Sequence, residues 1–425
     1  MTNFLPFFLP DLTAADLFQT RHQADGNPGQ SELSTSRTLT QLLERQFTIL
    51  LQESEKSRHE TTSIPLHALA VNSAATGLNL ALEAIGVGPH DEIITSPYSG
   101  TSTAGVIRHL GARPTFVDID PATLNIDHSR IERAITPRTK AILTNHIGGL
   151  ACEMSPILEI ARRHGLKVVE DATQALTSSS GGTLVGALGS DATIFSLNAI
   201  GNAAGADSTS ECAILVTPDP EVANRCRITR RQGANQTAHN SYGTGSLSSK
   251  QETTSPSGLL GFKYNLPDLA ASAGLEQVRR SWEYRERRAH LAARYDEGLR
   301  DLPIILPAPA ADGDLHAWQR YIIRLDHSIR ITRDDFIKEM ASRGIGCGIH
   351  FVPLHLHPYW SETYRLQPHH FPSSWHAYER VVSLPIYSRM TDDDLSRVVR
   401  AVEGVVKSAL SRPRHSLIFS TAVAG

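Results

Sequence analysis

One stretch of the sequence, residues 141–175, decides the fold class and reads AILTNHIGGLACEMSPILEIARRHGLKVVEDATQA. Two short runs rich in β-branched residues, AILTNH and KVVEDA, flank MSPILEIARRHG, whose apolar residues recur at helical spacing and stop at Gly165. A strand, a helix and a second strand in this order are typical of a parallel sheet. We therefore predict a βαβ unit here, with Asp171 at the end of its second strand.

The same alternation of short apolar runs and helical stretches extends from Leu66 to Thr217. Further strands are predicted at LHALAV, DEIITS, PTFVDID, TIFSL and CAILVT. Ser, Gly, Pro or Asp residues follow each run, and TGLNLALEAIGV between two of them has helical periodicity. The pattern predicts an α/β domain with a seven-stranded, mostly parallel sheet covered by helices.

The remainder of the chain predicts a long loop and a second domain. Residues 231–261 are rich in Gly, Ser, Thr, Asn and Gln, which indicates a mobile loop. One or two long helices follow it. The next segments predict a smaller α+β domain, with strands at RYIIRL and IGCGIHF and with helices that begin after Thr332 and Thr391. We place the large domain at residues 1–285 and the small domain at residues 286–425, with an irregular tail over 411–425.

The composition of the chain limits the classes of function that it can have. A chain of 425 residues with 40% hydrophobic residues can bury the cores of two domains. A formal charge of −3 without any basic run argues against nucleic-acid binding. The apolar start FLPFFLP is interrupted by prolines and too short to span a bilayer, so neither secretion nor membrane anchoring is expected. Four cysteines without ligand spacing predict free thiols in the cytoplasm and no metal site: Cys152, Cys212, Cys226 and Cys347.

Several motifs, in one order along nearly the whole chain, resemble the DegT/DnrJ/EryC1/StrS family of sugar aminotransferases. They include GPHDEIITSPY, PTFVDIDPATLNID, VVEDATQA, GFKYNLPDLAASAGLEQ, RGIGCGIHF and SLPIYSRMTDDDL. The resemblance implies a fold type I architecture, pyridoxal phosphate (PLP) as cofactor, and active sites at a homodimer interface. The stretches FSLNAIGN and GFKYNLPDL look most like members that aminate a 4-keto nucleotide sugar with glutamate.

The resemblance also assigns roles to individual residues. Asp171 matches the aspartate that holds the ring nitrogen of PLP, and Gln174 matches its neighbour facing the cofactor. Ser196 matches a serine that binds the phosphate. Lys263 and Asn265, in GFKYN, match the segment that a neighbouring subunit contributes to the site. Without the resemblance, each of these residues also has an ordinary structural explanation as a cap, a turn or a strand end.

The sequence departs from the family pattern at the cofactor site. Gly201, in FSLNAIGN, stands where the resemblance places the lysine that forms the Schiff base, and no lysine lies between Lys167 and Lys250. The stacking aromatic residue falls at Gly100, with Tyr98 as the nearest substitute. VNSAATG has alanines at positions 74 and 75 where the family has Gly-Thr. We therefore expect no covalent PLP, while PLP or pyridoxamine phosphate held without a covalent bond stays open.

Three functions are consistent with these residues. The first is a diverged enzyme that acts on a small molecule or nucleotide sugar without covalent PLP, with His146 or His350 as the proton-transfer group. Each of these histidines also has a structural explanation as a buried, hydrogen-bonded residue. The second is a non-catalytic subunit that pairs with a lysine-bearing homologue. The third is an aminotransferase acting on a keto-sugar nucleotide, which the missing lysine disfavours.

Overall fold

A computed structural model describes residues 4–9, 39–56, 65–197, 211–233 and 259–411. The stretch around Gly201, most of the predicted loop (residues 234–258) and residues 412–425 of the predicted tail lie outside the described residues. Within the described residues, no helix is long and apolar enough to cross a membrane.

The large domain is built on a seven-stranded sheet, which confirms the predicted α/β class. The strand order across the sheet is β1-β9-β8-β5-β4-β2-β3, and β9 runs antiparallel to both of its neighbours while the others are parallel. A two-stranded hairpin, β6 and β7, is separate from this sheet. The strands are β1 (His67–Val71), β2 (Glu92–Thr95), β3 (Arg113–Phe116), β4 (Thr139–Asn145), β5 (Lys167–Asp171), β6 (Ser179–Ser180), β7 (Thr183–Leu184), β8 (Ala192–Ser196) and β9 (Ala213–Thr217).

Helices cover both faces of this sheet. Their apolar stripes pack on strand residues such as Leu69 and Ile194 on one face and Phe195 on the other, forming two separate cores. The helices of this domain are α1 (Leu39–Lys56), α2 (Ala74–Ala84), α3 (Thr101–His109), α4 (Met154–His164), α5 (Pro220–Thr229) and α6 (Asp268–Arg279). Helix α4 ends at Gly165 in a left-handed conformation, as the sequence predicts.

The small domain packs helices against a three-stranded antiparallel sheet in the order β10-β11-β12. Thr332 and Thr391 cap its helices as predicted, each accepting a bond from an amide of the first turn. The predicted strand IGCGIHF is wrong in extent: Ile345 and Gly348 form only isolated bridges. The elements are α7 (Ser281–Leu299), β10 (Ile304–Ile305), β11 (Tyr321–Leu325), α8 (Arg333–Ser342), α9 (Pro358–Tyr364), α10 (Pro372–Arg380), β12 (Val381–Leu384) and α11 (Asp392–Leu410).

Two segments connect the domains more closely than the sequence predicts. Helix α7 spans the predicted boundary between residues 285 and 286, and its second half, with Leu291 and Tyr295, belongs to the core of the small domain. The described N-terminal residues also belong there, because Leu5 is buried in that core and pairs with Ile345. The beginning of the chain therefore packs on the C-terminal domain.

Gly149 makes a close backbone contact between the domains. It follows β4, has a φ of +95°, and an added Cβ would lie 2.7 Å from the carbonyl oxygen of Gln174 and 3.1 Å from the amide nitrogen of Gln319. Its own carbonyl accepts a bond from the amide of Ala317 in the small domain. Only glycine meets both the conformational and the steric requirement here.

We predict that Gly149→Ala lowers the free energy of unfolding by about 2–4 kcal/mol, because it combines backbone strain with overpacking. Denaturant unfolding followed by circular dichroism measures this change. Gly165→Ala is the matched control: its φ is +64° but an added Cβ would contact nothing within 4 Å, so we expect only about 1 kcal/mol. Equal losses in the two variants would contradict the steric part of this argument.

Candidate functional site

The candidate site lies where three parallel strands end side by side. Asn145, Asp171 and Ser196 are the last residues of β4, β5 and β8, which are adjacent in the sheet. Ligands of open α/β sheets bind outside these carboxyl ends. The structure therefore brings the predicted residues Asp171 and Ser196 to one edge of the sheet.

The carboxylate of Asp171 is buried and accepts four hydrogen bonds from the chain itself. Its Oδ2 accepts from the Thr103 hydroxyl at 2.7 Å and from the Asn145 amide at 3.0 Å. Its Oδ1 accepts from the hydroxyl and the backbone amide of Thr173, at 2.7 and 3.2 Å. A carboxylate offers about four acceptor positions, so these donors account for all of them.

Gln174 and Ser196 line one small cavity of about 20 Å³, which we call the Gln174 cavity. The side-chain oxygen of Gln174 accepts a bond from the amide of Gly148 at 3.0 Å, which leaves its NH₂ group as the available donor. Gln277 also lines the cavity, and its side-chain oxygen is buried without a partner. Further lining residues include Thr173, Arg288 and Gln319. A bound ligand could supply the donor that Gln277 lacks.

Two of the departures from the family pattern, at alanines 74 and 75 and at Gly100, lie within the described residues. Thr76 forms a capping box with Ser73 at the start of α2, and its hydroxyl also contacts the Asn72 side chain at 2.8 Å. Gly100 precedes α3 and has no side chain to place against a ring. Tyr98 does not substitute for it, because its ring is fully buried and its hydroxyl donates to the carbonyl of His350 at 2.7 Å.

His146 is a buried structural histidine. It is fully buried, its Nε2 lies 3.0 Å from Glu170, and its Nδ1 accepts a bond from the amide of Cys152 at 3.0 Å. Because Nδ1 is an acceptor, the ring carries its proton on Nε2 and donates it to Glu170. Glu170 in turn accepts bonds from Ser190 and Thr193. Both ring nitrogens are engaged inside the protein, and the proton-transfer role of His146 stays a prediction.

His350 lies in the small domain, beside the described N-terminal segment. Its Nδ1 is 2.9 Å from the Ser383 hydroxyl, and its ring stacks on Phe7 with centroids 5.4 Å apart. Burial, assisted by the positive charge of Arg320, lowers the pKa of His350 to about 3. The imidazole is therefore neutral near pH 7 and could serve only as a base.

Lys263 and Asn265 lie on the surface of this chain. Both residues are exposed, and their backbones form bridges with Arg231 and Val71 respectively. Their predicted contribution to the site of a neighbouring subunit stays a prediction.

Sequence reasoning missed Thr103, Asn145 and Thr173. Asn145 and Thr173 adjoin predicted features, since one precedes His146 at a strand end and the other follows Asp171 by two residues. Thr103 lies 68 positions before Asp171, and no local pattern signals that contact. Within the described residues, no group of three His, Cys, Asp or Glu side chains is placed to hold a metal ion.

We predict that Thr103→Val lowers the free energy of unfolding by about 1.5–3 kcal/mol, because Asp171 loses one of its four donors. Chemical denaturation measures the loss. Thr95→Val is the matched control, since the Thr95 hydroxyl is buried without a partner and its removal should leave stability unchanged or higher. A Thr103→Val variant as stable as wild type would show that the bond to Asp171 contributes nothing.

We predict that His350 stays neutral in the folded protein from pH 8 to pH 5. Since its folded pKa lies below the unfolded value of about 6.5, its contribution to stability is complete above pH 6.5 and is lost as the pH falls towards 3. The Hε1 resonance of His350 in NMR spectra should therefore not titrate in that range, and His350→Gln should weaken the fall in melting temperature between pH 7 and 5. A resonance that titrates near pH 6.5 would contradict this.

Comparison with known proteins places this arrangement in one family. The pattern of the DegT/DnrJ/EryC1/StrS aminotransferase family matches residues 52–403. The spore coat polysaccharide biosynthesis protein SpsC of Bacillus subtilis is 40% identical over 345 residues, which cover 81% of this chain and 86% of SpsC.

Two solved structures agree with this placement. The aminotransferase TlmJ from Streptoalloteichus hindustanus is 28% identical, with a TM-score of 0.77 and coverage of 96% of this chain and 100% of TlmJ. DesI, solved in the presence of its TDP-sugar product, is 26% identical, with a TM-score of 0.75 and coverage of 96% and 94%. The chain has the fold type I architecture of these enzymes and belongs to the DegT/DnrJ/EryC1/StrS aminotransferase family.

Proposed function

We propose that this chain is a sugar-biosynthesis member of its family that neither anchors PLP covalently nor transaminates. The similarity to SpsC, a protein of polysaccharide biosynthesis, and to DesI, solved with a TDP-sugar product, supports a sugar or nucleotide sugar as the ligand. Family membership implies a PLP site, so the question is whether the residues present suit that cofactor.

The observation that carries the proposal is the saturated carboxylate of Asp171. The family's ring-nitrogen aspartate must keep an acceptor position for the protonated nitrogen of the cofactor. In this chain, Thr103, Asn145 and Thr173 already supply four donors to Asp171. A cofactor ring would have to displace one of them, and it would find Gly100 where a stacking aromatic residue is expected. The described residues therefore do not fit the ring of PLP.

The sequence supports the same conclusion independently. Gly201 stands at the position that the resemblance gives to the Schiff-base lysine, and no lysine lies between Lys167 and Lys250. That lysine would serve both as the covalent anchor and as the proton shuttle. A general acid-base group alone typically contributes a factor of about 100 to 10,000 in rate.

What remains beside Asp171 is a small polar cavity of about 20 Å³, which can take one hydroxyl group of a larger ligand. The NH₂ group of Gln174 and the unpaired oxygen of Gln277 offer a donor and an acceptor in the Gln174 cavity. Such pairs suit the hydroxyl groups of a sugar, each of which donates and accepts. His350, neutral at pH 7, is a histidine candidate for proton transfer in the first function.

A second candidate function, the non-catalytic subunit, is supported by exposed apolar side chains beside the predicted partner segment. Leu260 is 94% exposed, Leu269 is 78% exposed and Phe262 is 44% exposed, and they flank Lys263 and Asn265. Large apolar side chains that cluster at a surface favour an interface. A homodimer or a heterodimer with a lysine-bearing homologue would cover them. In the heterodimer, the lysine-bearing partner would contain the catalytic site.

We expect the purified protein to form no specific lysine adduct with PLP. The protein is mixed with PLP, reduced with borohydride and digested for mass spectrometry, and its absorbance and melting temperature are recorded with PLP and with pyridoxamine phosphate. A lysine-bearing homologue is the positive control. Stabilisation by either compound without an adduct would assign noncovalent binding and contradict the misfit inferred at Asp171, whereas a specific lysine adduct would contradict the proposal itself.

The same preparation tests transamination. With glutamate and a 4-keto nucleotide sugar, we expect a rate at least about 100-fold below that of the lysine-bearing homologue. A rate equal to that of the control would overturn the proposal. Co-expression with that homologue, followed by size-exclusion chromatography, distinguishes the silent subunit, which should elute with its partner, from the independent enzyme.

A further inference from the structure

Arg320 is a cation without a counter-charge at the junction of the two domains. Its guanidinium makes no hydrogen bond or ion pair within the described part of the chain, and its Nε is buried without a partner. The guanidinium makes a cation–π contact with the Phe7 ring, whose centroid lies 5.2 Å from Cζ. Burial lowers the pKa of Arg320 to about 10, so the side chain is still charged at pH 7. Keeping an unpaired cation in this position costs stability.

The surroundings of Arg320 are positive. One small cavity, which we call the Arg320 cavity, is lined by Arg320, Arg324 and His316 together with residues 122–124, 147, 148, 150, 306–308 and 322. None of these lining residues, all from the described part of the chain, has a carboxylate side chain. Arg324 is engaged differently, because it donates to the carbonyl of Pro121 and lies near Asp120.

A second group of cations lies behind His316. Burial and the charges of Arg285 and Arg288 lower the pKa of His316 to about 3. The Nε of Arg288 donates to the carbonyl of Ala317, whereas the Nε of Arg285 is buried without a partner. Arg285 and Arg288 therefore place further positive charge near His316, and Glu286 lies near Arg285.

We propose that Arg320 binds the carboxylate of an acidic ligand in the Arg320 cavity. The edge formed by Nε and one Nη of a guanidinium pairs with the two oxygens of a carboxylate, and the Nε of Arg320 is the unpaired atom. The guanidinium of Arg320 carries one positive charge, which one carboxylate balances, whereas a phosphate dianion would bring two negative charges. The cavity, of about 20 Å³, admits a group of carboxylate size but not a sugar ring, so the rest of the ligand lies outside it.

The sugar part of this ligand rests on the proposed function, whereas its acidic group rests on Arg320. The ligand class is thus a sugar acid. The carboxylate site itself depends on Arg320 and its surroundings, whether or not a cofactor binds elsewhere.

The test compares melting temperatures of the full chain with sodium D-glucuronate, D-glucose, sodium acetate and sodium phosphate at equal ionic strength. We expect glucuronate to raise the melting temperature by about 2 °C or more at saturation, and glucose to have no effect. Arg320→Met should abolish the glucuronate effect. Arg343→Met is the control, because Arg343 is a surface residue of the same domain that pairs with Glu339.

A second readout separates ligand binding from a purely structural role. Without any ligand, Arg320→Met should melt about 2 °C or more above wild type, since it removes an unpaired buried charge and keeps the side-chain length. If Arg320 only supports Phe7, the variant will instead melt lower, and no anion will have an effect that depends on Arg320. That result overturns the proposal.

The remaining outcomes are also decisive. If phosphate alone stabilises the wild-type protein and Arg320→Met loses this effect, the ligand group in the Arg320 cavity is a phosphate, and the carboxylate proposal is overturned. Stabilisation by acetate but not by glucuronate, again dependent on Arg320, would support the carboxylate site and contradict the sugar framework. Failure of the carboxylate site would leave the transamination and PLP results unaffected.

Discussion

A carboxylate removed from water must find donors in the protein, and the candidate site is arranged around this requirement at Asp171. Asn145 ends the neighbouring strand β4, Thr173 follows Asp171 itself by two residues, and Thr103 comes from the helix after β2. The carboxylate thus joins three segments of the large domain. All four hydrogen bonds that this aspartate accepts within the described residues come from the chain itself.

Glu170, the residue before Asp171, also needs hydrogen-bond donors, but on the other face of the sheet. Successive side chains of a strand point to opposite faces, so Glu170 points away from Asp171 and needs a separate set of donors. His146, Ser190 and Thr193 provide it. The pairing of β4 with β5 places Asn145 beside Asp171. Asn145 therefore donates to Asp171, and the next residue, His146, contacts Glu170 on the other face. The role of His146 follows from this register.

The sequence predicts the parts of the structure that depend on local periodicity. All seven predicted strands of the large sheet are present, and Gly165, Thr332 and Thr391 end or begin helices where expected. The short bridges of Ile345 and Gly348 escaped prediction because β-branched composition does not reveal how long a strand stays paired. The Thr103 contact and the absence of a partner for Arg320 depend on residues far apart in the chain. Such facts become visible only when the elements are packed.

Gly148 and Gly149 link the two cavities. The amide of Gly148 donates to the side chain of Gln174, and its carbonyl accepts from the backbone amide of Arg320. Gly149 allows no room for a side chain between the domains. Arg320 and Gln174 are therefore joined through the backbone of one residue, Gly148. Gly148 itself lines the Arg320 cavity, and Gln174 lines the other, so the walls of the two cavities are linked by two hydrogen bonds to the same residue.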